Sequence, residues 1–76
     1  MKEFIEFIVK HLVDKPDEVR VSIVEGEQSI IYELHVGQGD MGAVIGKRGS
    51  HAMALRTLLY AASGKTKKRA TLEIVE

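Results

Sequence analysis

Val44-Ile45-Gly46-Lys47-Arg48-Gly49 is the stretch on which the reading of this chain turns. An apolar pair runs into two glycines that bracket two cations, and Ser50-His51-Ala52-Met53-Ala54-Leu55 follows. Upstream, Asp40 suits the N-cap of a short helix through Met41–Ile45, since an Asp side chain accepts from the unpaired N–H groups of a first turn. Downstream, Ser50 suits the cap of a longer helix that Gly64 would stop. The expected inner face of that helix is Met53, Ala54, Leu58 and Ala61/Ala62, with Leu55 and Leu59 beside it. A Gly-x-x-Gly turn between two helices has a physical use. Glycines let a sugar-phosphate chain approach the backbone without side-chain obstruction. The start of the following helix offers free N–H groups and a positive dipole end to a phosphate. Lys47 and Arg48 add two cations at the exposed tip. The plainer alternative is a turn with two solvated charges, and the four residues alone do not separate the two.

Working outward, Ile5, Ile8, Val9 and Leu12 recur at helical spacing within residues 3–13, and Pro16 is expected to end that helix. The period then becomes two. Val19, Val21 and Ile23 alternate with Arg20 and Ser22, and after the turn-like Glu25-Gly26-Glu27-Gln28, Ile30, Tyr32, Leu34 and Val36 alternate with Ile31, Glu33 and His35. These are two strands on a short turn, hence antiparallel. Past a basic run, Lys65-Thr66-Lys67-Lys68-Arg69, a closing strand alternates through Ala70, Leu72 and Ile74. The order α-β-β-α-α-β predicts an α+β fold: one small sheet with helices on one face, forming a single domain over residues 1–76.

Composition narrows the functions. The chain has no cysteine, which removes disulfides, thiolate metal sites and a cysteine nucleophile. Glu3 and Glu6 interrupt any apolar signal core, and no apolar run approaches the ~20 residues of a membrane span, so a soluble cytoplasmic protein is expected. Net charge is zero, yet residues 1–40 carry four basic and nine acidic side chains while residues 41–76 carry seven basic and two acidic. No carboxylate occurs from Met41 to Leu72. A polyanion would therefore meet one face only.

Two other glycine motifs fail on context. Gly37-Gln38-Gly39-Asp40-Met41-Gly42 matches G-x-G-x-x-G literally, but the dinucleotide fingerprint needs an acid about 20 residues on, where Tyr60–Gly64 has none. Gly64-Lys65-Thr66 ends like a phosphate-binding loop, but Leu59 stands where that motif needs its first glycine. His11, His35 and His51 pair at no metal-binding spacing, and Ser50 has no base beside it, so neither a metal site, a cofactor nor a catalytic set is expected. His51, one turn past the loop, either touches a phosphate or does nothing.

With these residues in view, the chain resembles the KH domain, whose mark is an apolar pair and a basic GxxG between two helices. The segment order is similar to the type II arrangement. Asp40 ahead of the loop and Ala54-Leu55-Arg56-Thr57 after it resemble more narrowly the bacterial single-KH family KhpA. The resemblance implies a mixed three-stranded sheet in which the strand at 29–36 is central, antiparallel to 19–24 and parallel to 70–75. It implies that Gly46, Lys47, Arg48 and Gly49, continuing into Ser50, clamp about four nucleotides of single-stranded RNA. Val44 and Ile45 would floor a groove, with Ile31 or Glu33 on its far wall. It further implies a role in post-transcriptional regulation, and a homodimer or a heterodimer with a larger KH-containing partner (KhpB, also Jag) through the helix at 50–63. No aromatic lies near the loop, so bases would rest on aliphatic side chains rather than stack on rings. Arg56, seven residues past Gly49, is placed to reach the groove or the partner, and Lys65–Arg69 to give a weak phosphate contact. The competing reading is an adaptor whose KH fold serves for dimerisation, with Leu58, Leu59 and Tyr60 over-exposed in a monomer.

Overall fold

The structure is a computed structural model that describes residues 2–63 and 68–76. Helix α1 spans Lys2–Lys10 and a 3-10 turn Pro16–Glu18. Strands β1 (Arg20–Glu25) and β2 (Ser29–His35) precede the short α2 (Met41–Ile45). A second 3-10 turn (Lys47–Gly49), α3 (Ser50–Ser63) and β3 (Arg69–Val75) complete the order. The sheet runs β1-β2-β3, with β1 antiparallel to β2 and β3 parallel to it. This is the type II KH order, with the 29–35 strand central as the resemblance implied. Gly26 N–H bonds to Ser29 C=O at 2.7 Å and closes the β1–β2 hairpin. Among the described residues, no helix is long and apolar enough to cross a membrane.

Period-two alternation sorts the sheet into two faces. Val21, Leu34 and Ile74 lie in one row across the three strands, and Ile23, Tyr32 and Leu72 in the next. Most of these join Ile5 and Val9 of α1, Val44 of α2 and Leu55 and Leu59 of α3 in one apolar core. Ile23 departs from the expectation. It shares the inner face with Val21 but is 46% exposed.

Two helix readings are corrected. Helix α1 ends at Lys10 with one looser turn after it, and Pro16 instead opens the 3-10 turn, where its missing N–H costs no hydrogen bond. In α3 the core side is Ala52, Leu55 and Leu59, while Met53, Ala54, Leu58, Ala61 and Ala62 face outward. The helix is apolar on several sides, so periodicity alone could not select the buried one. The chain's entry through the Gly46–Gly49 turn sets its rotation.

Asp40 does something the sequence did not announce. Its backbone stands at the α2 N-cap, and its C=O accepts from Ala43 N–H (3.1 Å) and Val44 N–H (3.2 Å). Its carboxylate makes no cap bond. Instead it accepts from Asp14 N–H (3.2 Å) and Lys15 N–H (2.9 Å), 26 and 25 residues away. It is 3% exposed, the one charged residue among the buried ones of the described chain. Lys15 Nζ donates to Gln38 C=O (2.9 Å), Gly37 packs under the Lys15 stem, and Gly39 N–H donates to Glu76 Oε1 (2.9 Å). The segment that feeds α2 is thus held from both chain ends.

Asp40→Ala leaves two N–H groups without their charged acceptor and is expected to cost roughly 3 kcal/mol by urea denaturation, with Asp40→Asn, which keeps one acceptor oxygen, falling between it and the wild type. In the same assay Leu59→Ala costs roughly 3 kcal/mol and Leu58→Ala less than about 1, reversing the order that the sequence pattern suggests.

Candidate nucleic-acid interface

The turn Gly46–Gly49 is shaped by backbone conformations that side chains resist. Gly46 (φ +78°), Arg48 (φ +57°) and Gly49 (φ +76°) all lie in the left-handed region. Gly49 N–H bonds back to Gly46 C=O at 3.1 Å. A Cβ on Gly46 would stand 2.7 Å from His51 Cγ and 2.9 Å from the His51 backbone nitrogen. At Gly49 the same atom would meet open space. Arg48 holds its left-handed conformation without being glycine, a local strain the turn must absorb. The result is that Lys47 and Arg48 project into solvent at the tip, with no ion pair to a described carboxylate.

His51 braces this turn. Its Nδ1 lies 2.8 Å from Ala43 C=O, a carbonyl at the end of α2 that the interrupted helix leaves open, so Nδ1–H is the donor. The imidazole also fills the space beside Gly46. This structural role is neither of the two the sequence left open for His51. Ser50 has helical dihedrals (φ −61°, ψ −42°) and belongs to α3 itself, so the residue before the helix is Gly49 and Ser50 is not its cap.

Beside the turn runs an open groove of about 640 Å³, lined on one wall by Met41, Ile45, Gly49, Ala52 and Arg56 and on the other by Leu72–Val75 of β3. Gly49, just before α3, and Ala52 and Arg56 within it lie along one side, where two small residues leave room and the arginine closes the row. Val44 is 0% exposed and sits in the core, so of the apolar pair only Ile45 reaches the groove. The far wall also differs from the expectation. Ile31 and Glu33 alternate with the inward Tyr32 and Leu34 on the central strand, and edge strand β3 stands between them and α3.

That edge is polar in its backbone. In a parallel ladder, alternate residues turn both N–H and C=O to the same neighbour. Val36 N–H bonds Val75 C=O (3.0 Å) and Arg69 N–H bonds Gln28 C=O (2.9 Å). Odd-numbered residues of β3 therefore face β2. Ala70, Leu72 and Ile74 turn their donors and acceptors outward, two of them into the groove. No local pattern in the sequence marks this wall, since it depends on which strand α3 packs against. The Gly49/Ala52/Arg56 row was available from spacing.

The remaining basic run contributes less. Lys65, Thr66 and Lys67 lie outside the described residues, and Lys68 pairs with Glu25 at the β1–β2 turn. His35 lies on the outer sheet face in a shallow polar pocket with Arg20, Asp17, Glu18 and Glu76. No group of three metal-ligating side chains comes together among the described residues.

A family model described as KhpA/KhpB, KH domain, matches residues 2–74. The chain belongs to the KhpA/KhpB family of KH domains. It is 57% identical to the RNA-binding protein KhpA of Borreliella burgdorferi over 97% of this chain and 90% of that one. It is also 57% identical to the RNA-binding protein KhpA of Clostridium acetobutylicum, over 99% of this chain and 100% of the relative. With the protein of the same name from Chlamydia trachomatis it shares 50% identity over 100% of this chain and 97% of that one. No solved structure gives a significant match. KH domains are binding modules and not enzymes, in keeping with the sequence reading.

Gly46→Ala meets both strain and a backbone clash, whereas Gly49→Ala meets strain alone. Thermal unfolding is expected to place Gly46→Ala the lower of the two, with Gly49→Ala losing on the order of 1–2 kcal/mol.

Proposed function

We propose that this chain is a cytoplasmic RNA-binding protein that clamps the backbone of a short single-stranded segment with Gly46-Lys47-Arg48-Gly49. The carrying observation is the groove itself, with two unpaired cations on a glycine turn at its mouth and a free backbone edge along its wall. Phosphates meet Lys47 and Arg48 beside the positive dipole end of α3. Bases lie over Ile45 and Ala52 and hydrogen-bond to the outward donors and acceptors of Leu72 and Ile74. The names of the KhpA relatives support RNA as the ligand.

A second reading has its own observation. On the outer side of α3, Met53 is 67% exposed, Tyr60 60% and Leu58 39%, with Ala54 and Ala61 between them. Thr57 turns its hydroxyl back onto Met53 C=O (2.9 Å), which hides the polar atom on that face. Leu59, expected among the over-exposed residues, is buried instead. This side of α3 suits a second KH-containing chain, either an identical copy or a KhpB-like partner. A dimer would set two glycine turns on one RNA strand and raise the modest affinity of each. In the adaptor reading, that contact is the main function and RNA is secondary.

Titration of a labelled mixed-sequence RNA at two salt concentrations separates the readings. The wild type is expected to bind with affinity that falls as salt rises. Lys47→Asp/Arg48→Asp loses binding, or retains a weak residue whose log–log salt slope is shallower by about 1.4, the value for two lost single-strand phosphate contacts. Sedimentation should give the variant the same self-association as the wild type. Equal RNA binding by both proteins would move the site elsewhere, and no binding by either would favour the adaptor.

A further inference from the structure

Helix α1 buries Ile5 and Val9 and packs on β1, yet its opposite side is apolar too. Phe4 is 46% exposed and Phe7 64%. His11, in the looser turn after the helix, leans on Phe7 with ring centroids 4.7 Å apart and its Nδ1 2.7 Å from Phe7 C=O. A phenylalanine ring offers water no polar atom, so two of them on the exposed side of a nine-residue helix need a reason. The charges beside them form a pattern. Glu3 and Lys10 lie about two turns apart on one flank of Phe7, both exposed and without an ion pair to another described residue. The helix dipole accounts for an acid in the first turn and a base in the last. It does not account for the rings between them.

We propose that the outer side of α1 receives the α1 of a second copy of this chain, antiparallel, with Phe7 at the two-fold axis. Such an axis makes one patch meet itself, so the patch must complement its own reversal. This patch does. Around the helix, Phe7 lies between Phe4 on one flank and Glu3 and Lys10 on the other. A two-fold axis perpendicular to the helices brings like flanks together and reverses the residue order. Glu3 of each copy then comes opposite Lys10 of the other, Phe4 comes opposite His11, and the two Phe7 rings meet between them. A parallel pairing would set Glu3 against Glu3 and Lys10 against Lys10. The contact is separate from the exposed side of α3, because α1 packs on β1 and α3 on β3, the two edges of the sheet. It needs no RNA, and a chain whose α3 side is occupied remains able to make it. Two rings and one charge pair from each copy fall well short of the ~1,600 Å² of a standard interface, so a Kd on the order of 0.1–1 mM is expected.

A dilution series followed by two-dimensional amide NMR tests this, in a Met53→Asp/Leu58→Asp background that closes the exposed side of α3. Signals of residues 3–11 are expected to shift with concentration. Glu3→Lys or Lys10→Glu alone sets like charges opposite each other at both ends of the contact and weakens association roughly fivefold. Glu3→Lys/Lys10→Glu has the parent's net charge and restores opposite charges at both ends, so its association returns to within about twofold of the parent. Through the helix dipole alone the double reversal would be the worst of the three, so its recovery reads the contact and not the stability of α1. Phe7→Asp abolishes the shifts, and because Phe7 is exposed its circular-dichroism melt is expected to match the parent's. The inference falls if residues 3–11 do not shift with concentration, if Phe7→Asp leaves the shifts in place, or if the double reversal associates no better than the single ones.

Discussion

Two oxygens of one buried carboxylate hold this small fold in working order. Asp40 accepts from the backbone of Asp14 and Lys15, while its own carbonyl starts α2. A single residue therefore joins the connection after α1 to the first turn of the helix that delivers Ile45 and Gly46 to the groove. The carboxylate is almost wholly removed from water. It is tolerable there because both oxygens meet N–H donors, and bonds to a charged acceptor are stronger than neutral ones. With β2 ending at His35, the chain has only a few residues in which to turn toward α2, and a loosely held connection would let the glycine turn wander. Glu76 and Lys15 grip the same few residues and reinforce the constraint.

Downstream of that anchor, the site is assembled from backbone more than from side chains. Three left-handed residues in four force the tip to present two cations outward, and His51 wedges the turn from inside. The groove wall is a sheet edge whose alternate peptide groups are left unpaired by a parallel neighbour. An exposed sheet edge is ordinarily a liability in a soluble protein. Here it is flanked by α3 and narrowed to a groove, where a flat β-strand partner would meet Arg56 and the helix.

Helix α3 serves three surroundings at once. One side packs in the core through Leu55 and Leu59, another lines the groove through Ala52 and Arg56, and a third leaves Met53, Leu58 and Tyr60 exposed. An amphipathic helix with one duty would show a single apolar stripe. The near-uniform apolarity of residues 52–62 therefore gives no single stripe that would mark the buried side.

The sequence alone determined the element order, the hairpin, the absence of cysteine chemistry and the glycine turn with its cations, because each depends on residues close together in the chain. Period-two patterns mark strands and paired glycines mark a turn whatever surrounds them. The resemblance carried by those residues supplied the strand order. Tertiary structure alone decided the rest. It chose Leu59 over Leu58 for the core, since a helix apolar on several sides is oriented by its entry turn rather than by its pattern. It took Val44 out of the groove and turned Asp40 from a helix cap into a long-range anchor, because burial and distant N–H groups leave no local signal. It also made β3 the far wall in place of Ile31 and Glu33, since which strand stands beside α3 is a property of the sheet and not of any one segment.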